Sequence, residues 1–386
     1  MEKNLCVFSL DYLDAKTGTM LIGGVQTYIH SLCLLAQENG FNVTIYQLKG
    51  ECEAEFPYDG IKVIIRNIPD SKTQDYFDTI YKKFEYKKTI FIISTDQLPI
   101  KSKALNIITI QHGIAFDIPG NWIGGLWGSN KIFQHINKLL RCVKNVMRCY
   151  HSSNTVCVDY NYYNWFRTIG TIYQDKRIQV IPNYSSSHIS LEELNEKLKY
   201  RSKKKILFAR RFCDYRGTLL FADVIYKVLE KYSDIEVTFA GSGPLEDYIR
   251  QKFSNHNNVY ISSYNAVDSI NFHKNYDIAV VPTIYSEGTS LSLLEAMSAG
   301  CFPLSTHVGG MTNIILDKFN GFLCAPNAES LYESIVNILD MNDSEFNEIV
   351  SNAYNSAVKA FSHNVWKNKW SRFIDSVYAE INKKNN

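Results

Sequence analysis

Short runs rich in Val, Ile, Leu and Phe recur along the chain, and between them lie longer stretches whose apolar positions are spaced three and four apart. Residues 4–10, 42–48, 62–65, 89–94 and 107–111 are such runs and predict strands, while residues 25–38 carry the helical period. Strands that alternate with helices predict a parallel sheet. Residues 178–184 add a strand that stops at Pro182, and a polar, charged stretch follows. A second series then begins, with strands at 205–209, 236–240, 259–261 and 278–282 and helices at 218–231, 245–253 and about 291–299. Two successive series, each near domain size, predict two doubly wound α/β domains. The boundaries read as 1–184 for the first domain, 185–204 for a linker and 205–361 for the second domain. In the last segment, 362–386, Trp366, Trp370, Phe373 and Val377 recur at helical spacing, so it is expected to be a helix that packs back on the first domain.

Composition narrows the class. A chain of 386 residues suits two cores better than one. With 45% hydrophobic, 13% aromatic and 21% charged residues it has the make-up of a folded protein. A net charge of +2 gives no global pull toward nucleic acid, and none is expected as a partner. The nine cysteines are scattered, with no C-x-x-C, as in reduced thiols of a cytoplasmic protein rather than a disulfide frame or a zinc site. The first apolar run ends at Asp11 and reads as a buried strand, not a signal peptide. No run approaches the ~20 apolar residues that cross a bilayer, so the expected location is the cytoplasm, in solution or at the inner membrane surface.

Chemistry concentrates after the strand at 278–282. There Glu287 and Glu295 are separated by seven residues, Glu287 at a strand end and Glu295 inside the next helix. Gly288 lets the backbone approach a ligand, and the amides of Thr289, Ser290 and Leu291 stand where a helix begins, so they can hold an anion. Two carboxylates beside such donors suit a ligand that carries both hydroxyls and phosphate. Taken singly, each glutamate could equally be an ordinary helix-start or solvated helix residue.

The whole phrase, Glu-x7-Glu with Pro282 before it and Ala-Met-x-Ala-Gly after, resembles the signature of glycosyltransferase family 4, the group 1 set of retaining GT-B enzymes. Upstream, Ile206 to Gly217 resembles the family's Gly-Arg-Leu-x-x-x-Lys-Gly, with Arg211 on the arginine and Arg216 on the lysine. Arg210 departs from the pattern, standing where glycine is usual. Gly241, in Gly-Ser-Gly-Pro, fits the family's Gly-x-Gly-Pro loop, Gly23 and Gly24 fit its N-terminal glycine pair, and His112 fits a histidine near the transferred hexose.

The resemblance implies a GT-B fold, two Rossmann-like domains facing across a cleft, and a retaining, metal-independent hexosyltransferase. The donor would be a nucleotide sugar used as co-substrate, UDP-linked in preference to GDP-linked, with no other cofactor. The acceptor would be a saccharide or lipid-linked saccharide of surface polysaccharide synthesis, O-antigen or capsule. Gly23, Gly24, Arg211, Arg216, Gly241, Gly288, Thr289, Ser290 and Leu291 would then hold the donor and Glu295 its ribose, while Glu287 and His112 would position the sugar. No Asp-x-Asp, the metal-diphosphate device of GT-A enzymes, occurs in the chain. A sugar-nucleotide epimerase and a non-catalytic nucleotide-sugar-binding protein would share this pattern.

One feature lies outside the resemblance. Residues 130–150 hold Lys131, Lys138, Arg141, Lys144 and Arg148 with no acidic residue, and Ile132, Phe133, Ile136, Leu139, Leu140, Val143 and Met147 recur at helical spacing. This basic amphipathic helix either packs on the core with a solvated basic face or docks on anionic lipid.

Overall fold

A computed structural model describes residues 2–21, 23–113, 131–170, 177–200, 202, 204–285 and 287–383. Asn130, the first residue of the basic segment, lies outside them. The chain forms two compact units, the first of residues 1–112, 121–182 and 366–386, the second of residues 113–120 and 183–365.

In the first unit the apolar runs become strands β1 (Lys3–Ser9), β2 (Phe41–Gln47), β3 (Ala54–Tyr58), β4 (Ile61–Ile65), β5 (Thr89–Ile93), β6 (Ile107–Gln111), β7 (Asn154–Cys157) and β8 (Arg177–Val180). Among the described residues they form an eight-stranded sheet in the order β3-β4-β2-β1-β5-β6-β7-β8. All neighbours are parallel except the edge pair β3 and β4. β5 and β6 are buried throughout, as strands covered on both faces must be, which is why they read as continuous apolar runs. The helices are α1 (Gly24–Glu38), α2 (Thr73–Tyr81), α3 (Lys131–Met147) and α4 (Tyr160–Gly170).

The second unit carries β9 (Lys205–Ala209), β10 (Glu236–Ala240), β11 (Val259–Ser262), β12 (Ile278–Val281), β13 (Phe302–Thr306) and β14 (Phe322–Cys324). They form a parallel sheet in the order β11-β10-β9-β12-β13-β14. Its helices are α5 (Leu191–Tyr200), α6 (Thr218–Lys231), α7 (Glu246–Lys252), α8 (Ser269–His273), α9 (Leu291–Ser298), α10 (Ala328–Asp340) and α11 (Asp343–Phe361). The stretch 185–204, expected to be a linker, contains α5, and Leu194 of that helix is buried in the second unit's core with Ile189. Its charges lie along a helix whose single apolar face is covered, so polarity alone misidentifies it.

A last helix, α12 (His363–Lys383), runs into the first unit. Trp366 and Trp370 are fully buried, and Trp370 Nε1 donates to Tyr28 Oη of α1 at 2.8 Å. Among the described residues no helix is long and apolar enough to cross a membrane.

Both sheets place a strand whose successors leave on opposite sides. In the second unit β10 pairs with one edge of β9 and β12 with the other. The loops beyond β9 and β12 therefore diverge and leave a crevice at the carboxyl ends of the strands, the place where such sheets bind ligands.

Candidate active site

The loops after β9 and β12 bring three charged side chains together at that switch point. Arg210, the first residue past β9, is 8% exposed. Its Nη2 donates to both carboxylate oxygens of Glu287 at 2.6 Å, and its Nη1 donates to Thr283 Oγ1 at 2.5 Å. Thr283 Oγ1 in turn donates to Glu287 Oε2 at 2.8 Å. Arg216 Nη1 reaches Glu287 Oε1 at 2.5 Å. An ionised carboxylate offers about four lone-pair positions. Each Glu287 oxygen thus accepts two hydrogen bonds, and the carboxylate is saturated.

Backbone packing fixes this arrangement. Arg216 ends a short 3-10 turn, Asp214–Arg216, and Gly217 follows in the left-handed region at φ 78°. A Cβ on Gly217 would lie 1.8 Å from the carbonyl oxygen of Pro282, so only glycine lets this turn close onto the end of β12. On the other side Gly309, φ 56°, packs so that a Cβ would lie 2.3 Å from Glu287 O, and the Gly310 amide donates to that oxygen at 2.7 Å.

Electrostatics follow from the geometry. Burial pushes the Glu287 carboxyl up, but the Arg210 and Arg216 guanidiniums together outweigh it and hold the group at about 2. Two guanidiniums against one carboxylate leave a charge of +1. Arg216 is the more exposed guanidinium, with 29% of its side chain accessible against 4% for Arg210, so it is the cation that can meet a ligand.

Next to this cluster α9 begins. Gly288, Thr289 and Ser290 are buried, Ser290 is the N-cap, and the first amides of the helix have no acceptor within it. The Asn183 amide group donates to the Thr289 carbonyl at 2.6 Å and fixes the loop. Glu295 lies within α9, and burial pushes its carboxyl up to about 7.

Residues 190–356 match the family model described as Glycosyl transferases group 1. That part of the chain is similar to the group 1 glycosyl transferases. An uncharacterized glycosyltransferase of Methanocaldococcus jannaschii is 30% identical over 172 residues, 43% of this chain and 42% of that protein. A UDP-Gal:alpha-D-GlcNAc-diphosphoundecaprenol alpha-1,3-galactosyltransferase of Escherichia coli is 25% identical over 201 residues, 48% of this chain and 51% of that protein. These matches span about half or less of the relatives' own length. Over 97% of this chain and 99% of the other, the fold is similar to that of Anabaena HepE crystallised with UDP-glucose, with a TM-score of 0.66 at 13% identity. The two parallel-sheet α/β units are those of the GT-B fold.

The motif residues occupy distinct settings. Arg216 and Glu287 are in direct contact. Arg211 is exposed, and its side chain makes no hydrogen bond or ion pair among the described residues. It is the neighbouring Arg210, at the glycine position of the motif, that grips the glutamate. The Gly241 amide donates to the Ser262 carbonyl at 2.8 Å, and a Cβ there would lie 2.1 Å from Arg210 O, so the Gly-x-Gly loop packs against the backbone that carries the guanidinium.

In the first unit Gly23 is the N-cap of α1 and Gly24 its first residue. Gln26 of the same turn donates to Asp11 Oδ1 at 2.9 Å, tying the helix start to the end of β1. His112, just past β6, shares a 2.7 Å hydrogen bond between Nε2 and the Ser94 carbonyl, with its ring edge-on to Tyr28 at 5.4 Å. Burial pushes its pKa down to about 4, so the ring is neutral, and the carbonyl acceptor places the proton on Nε2.

Sequence reasoning missed Arg210, Thr283 and Gly309. Arg210 was visible as a departure from the motif, and Gly309-Gly310 as a glycine pair at a strand end. Thr283 carried no signal.

Proposed function

We propose that this chain moves a hexose from a nucleoside-diphosphate sugar to a saccharide or lipid-linked saccharide acceptor. The donor is UDP-linked in preference to GDP-linked, the anomeric configuration is retained, and no divalent metal takes part. The pathway is the assembly of a surface polysaccharide such as O-antigen or capsule. The observation that carries the reading is the saturated Glu287 carboxylate with a residual positive charge beside the first turn of α9, at the switch point of the second sheet.

The donor diphosphate competes with Glu287 for Arg216, the exposed member of the cluster. When Arg216 turns to the diphosphate, one lone-pair position on Glu287 Oε1 opens for a hydroxyl of the hexose. Arg210 and Thr283 stay on the carboxylate and hold it ionised and oriented. The amides at the start of α9, and those of Gly23 and Gly24, favour phosphate oxygens, and Glu295 favours the ribose diol. For Arg211 we propose a contact with the diphosphate, and for His112 a neutral hydrogen-bonding contact with the sugar.

As the bond to the leaving phosphate stretches, negative charge grows on its oxygen and positive charge on the sugar ring. Guanidinium and helix amides stabilise the first. The acceptor oxygen bonds to the anomeric carbon on the face the diphosphate leaves, and its proton passes to the departing phosphate oxygen. Two similarities support the choice of partners: the E. coli relative is named for UDP-Gal and a diphosphoundecaprenol acceptor, and the Anabaena structure contains UDP-glucose.

Thermal shifts with a panel of nucleoside diphosphates and their sugars identify the donor, since a ligand that binds only the native state raises Tm. Release of nucleoside diphosphate is then followed with and without saccharide acceptors. Release should depend on acceptor and persist in EDTA. Donor turnover without acceptor would make the protein an epimerase, binding without release a nucleotide-sugar sensor, and activity lost in EDTA but restored by manganese would overturn metal independence.

A further inference from the structure

α9, which carries Glu295, packs against α8. Ser269 and His273 of α8 are both fully buried, and His273 Nδ1 donates to the Ser269 carbonyl at 2.7 Å, which ties the two residues together. Tyr264, in the loop after β11, completes this wall. Its ring stacks on Phe272 at 4.6 Å and stands edge-on to His273 at 5.5 Å. The Ser269 hydroxyl is out of keeping with its surroundings. It is sealed from solvent and has no hydrogen-bond partner among the described residues, yet it approaches the Glu295 carboxyl closely enough to favour its charged form. An unpaired buried hydroxyl destabilises a protein, and the effect is offset where another state of the molecule gives it an acceptor.

Ionisation of Glu295 supplies that acceptor. A carboxylate out of water is acceptor-only and needs a donor, and a serine hydroxyl can rotate to become one. Few other groups face it. α11 meets α9 through Ala353 and Ala357 against Leu293, Leu294 and Met297, and Ala296 packs into the core with Phe302 and Leu304. Tyr264 is near enough that burial and then the Glu295 charge push its phenol up, but the two share no hydrogen bond. Among the described residues no guanidinium or ammonium acts on Glu295 as Arg210 and Arg216 act on Glu287. We propose that Ser269 is a positioning residue for Glu295: its hydroxyl donates to the carboxylate, holds it ionised and orients it toward the ribose diol. Ser269 thus does for Glu295 what Arg210 does for Glu287, with a neutral donor in place of a guanidinium, so the carboxylate it holds stays within reach of protonation near neutral pH. The consequence for donor binding rests on the proposed contact between Glu295 and the ribose, whereas the pairing of Ser269 with Glu295 does not.

Ser269→Ala in the full chain tests the pair. The side-chain carboxyl carbon resonance of Glu295, assigned by its absence in Glu295→Gln, reports ionisation directly in the protein without donor. A hydrogen bond to a charged group changes an equilibrium by about tenfold, so the midpoint should rise by about one pH unit in Ser269→Ala. Calorimetric titration with UDP reads the consequence. At pH 7, the Kd should rise about fivefold, the ratio of ionised fractions for midpoints near 7 and one unit higher, and the two proteins should converge by about pH 9. A merely structural serine would alter stability without moving the midpoint. Ser269→Cys, close in volume and only a weak donor, should titrate in between, and it decides the matter if Ser269→Ala fails to fold. An unchanged midpoint, a binding defect of equal size at every pH, or the same defect when Ser269→Ala is added to Glu295→Gln would each overturn the proposal. A midpoint that rises while UDP affinity ignores pH would uphold the pair and refute the ribose contact instead.

Discussion

Glu287 and Glu295 lie on one strand-loop-helix segment with seven residues between them, and both are withdrawn from solvent, yet their carboxyls move in opposite directions. Burial acts on each. At Glu287 two guanidiniums overcome it and the group is held at about 2, whereas at Glu295 burial prevails and the group rises to about 7. A motif that presents two identical residues thus contains a permanent anion and a group that titrates near neutrality. The guanidinium responsible for much of the difference, Arg210, stands where the family motif has glycine.

The strongest test of this contrast removes Arg210. Arg210→Met deletes a buried partner and leaves Glu287 with Arg216 and Thr283. Breaking a buried pair costs about 3–5 kcal/mol, which urea denaturation measures. The acid limb should move as well. A carboxyl held below its ordinary 4.5 contributes stability that is complete above that value and is lost as pH falls toward about 2. In Arg210→Met part of that contribution is absent, so acid unfolding follows a shallower course between about pH 4.5 and 2. A loss below about 1 kcal/mol would mean that Arg216 alone suffices and that the contrast has another origin.

Glu287→Gln keeps the shape and removes the charge. If the carboxylate positions the sugar, turnover should fall on the order of 100-fold, about 2.7 kcal/mol of barrier, with a smaller change in KM. Arg216→Ala should show the complementary pattern: donor affinity about tenfold weaker, consistent with one charge-assisted hydrogen bond of ~1.5 kcal/mol, while turnover at saturation changes less. Titration calorimetry with the nucleoside diphosphate measures the first effect and steady-state kinetics the second. Equal losses of affinity and turnover in both variants would sink the exchange of Arg216 between carboxylate and diphosphate.

How far the sequence discloses these features depends on the range of the interactions. Central strands such as β5 and β12 are legible because burial on both faces leaves a continuous apolar signature. β3, β7, β13 and β14 are not: β3 is an edge strand of alternating exposure that contains Pro57, β7 begins with Asn154 and Thr155, β13 contains Pro303, and β14 has three residues. The turn from β3 to β4 carries a local signal of its own, Asp59-Gly60, which supplies the two positive φ values, 47° and 74°, of a tight hairpin. In the site, Glu287 and Arg216 stand out by spacing. The Arg210–Glu287 contact spans 77 positions and exists because β9 and β12 are neighbours in the sheet, which no local pattern states. Likewise, the period of residues 131–147 predicts a helix but not that its apolar side faces out.

The smallest expected effect belongs to Glu295, where pH is the probe. Its folded pKa, about 7, lies above the ordinary 4.5, so its contribution to stability is complete below 4.5 and is lost as pH rises through about 7. Donor binding should run the other way. Only the ionised carboxylate accepts from both ribose hydroxyls, and the ionised fraction rises about tenfold between pH 6 and 8 for a group near 7. The unliganded protein should therefore lose some stability over that interval, while donor affinity rises by up to about tenfold and the thermal shift produced by donor grows. Glu295→Gln cannot titrate, so both slopes should flatten, with the variant no less stable than wild type at pH 8. Calorimetric titrations of nucleoside diphosphate at pH 6, 7 and 8 decide the matter. A donor affinity that ignores pH in the wild type, or one that keeps its slope in Glu295→Gln, would place the titrating group elsewhere and reduce the contrast between the two glutamates to Glu287 alone.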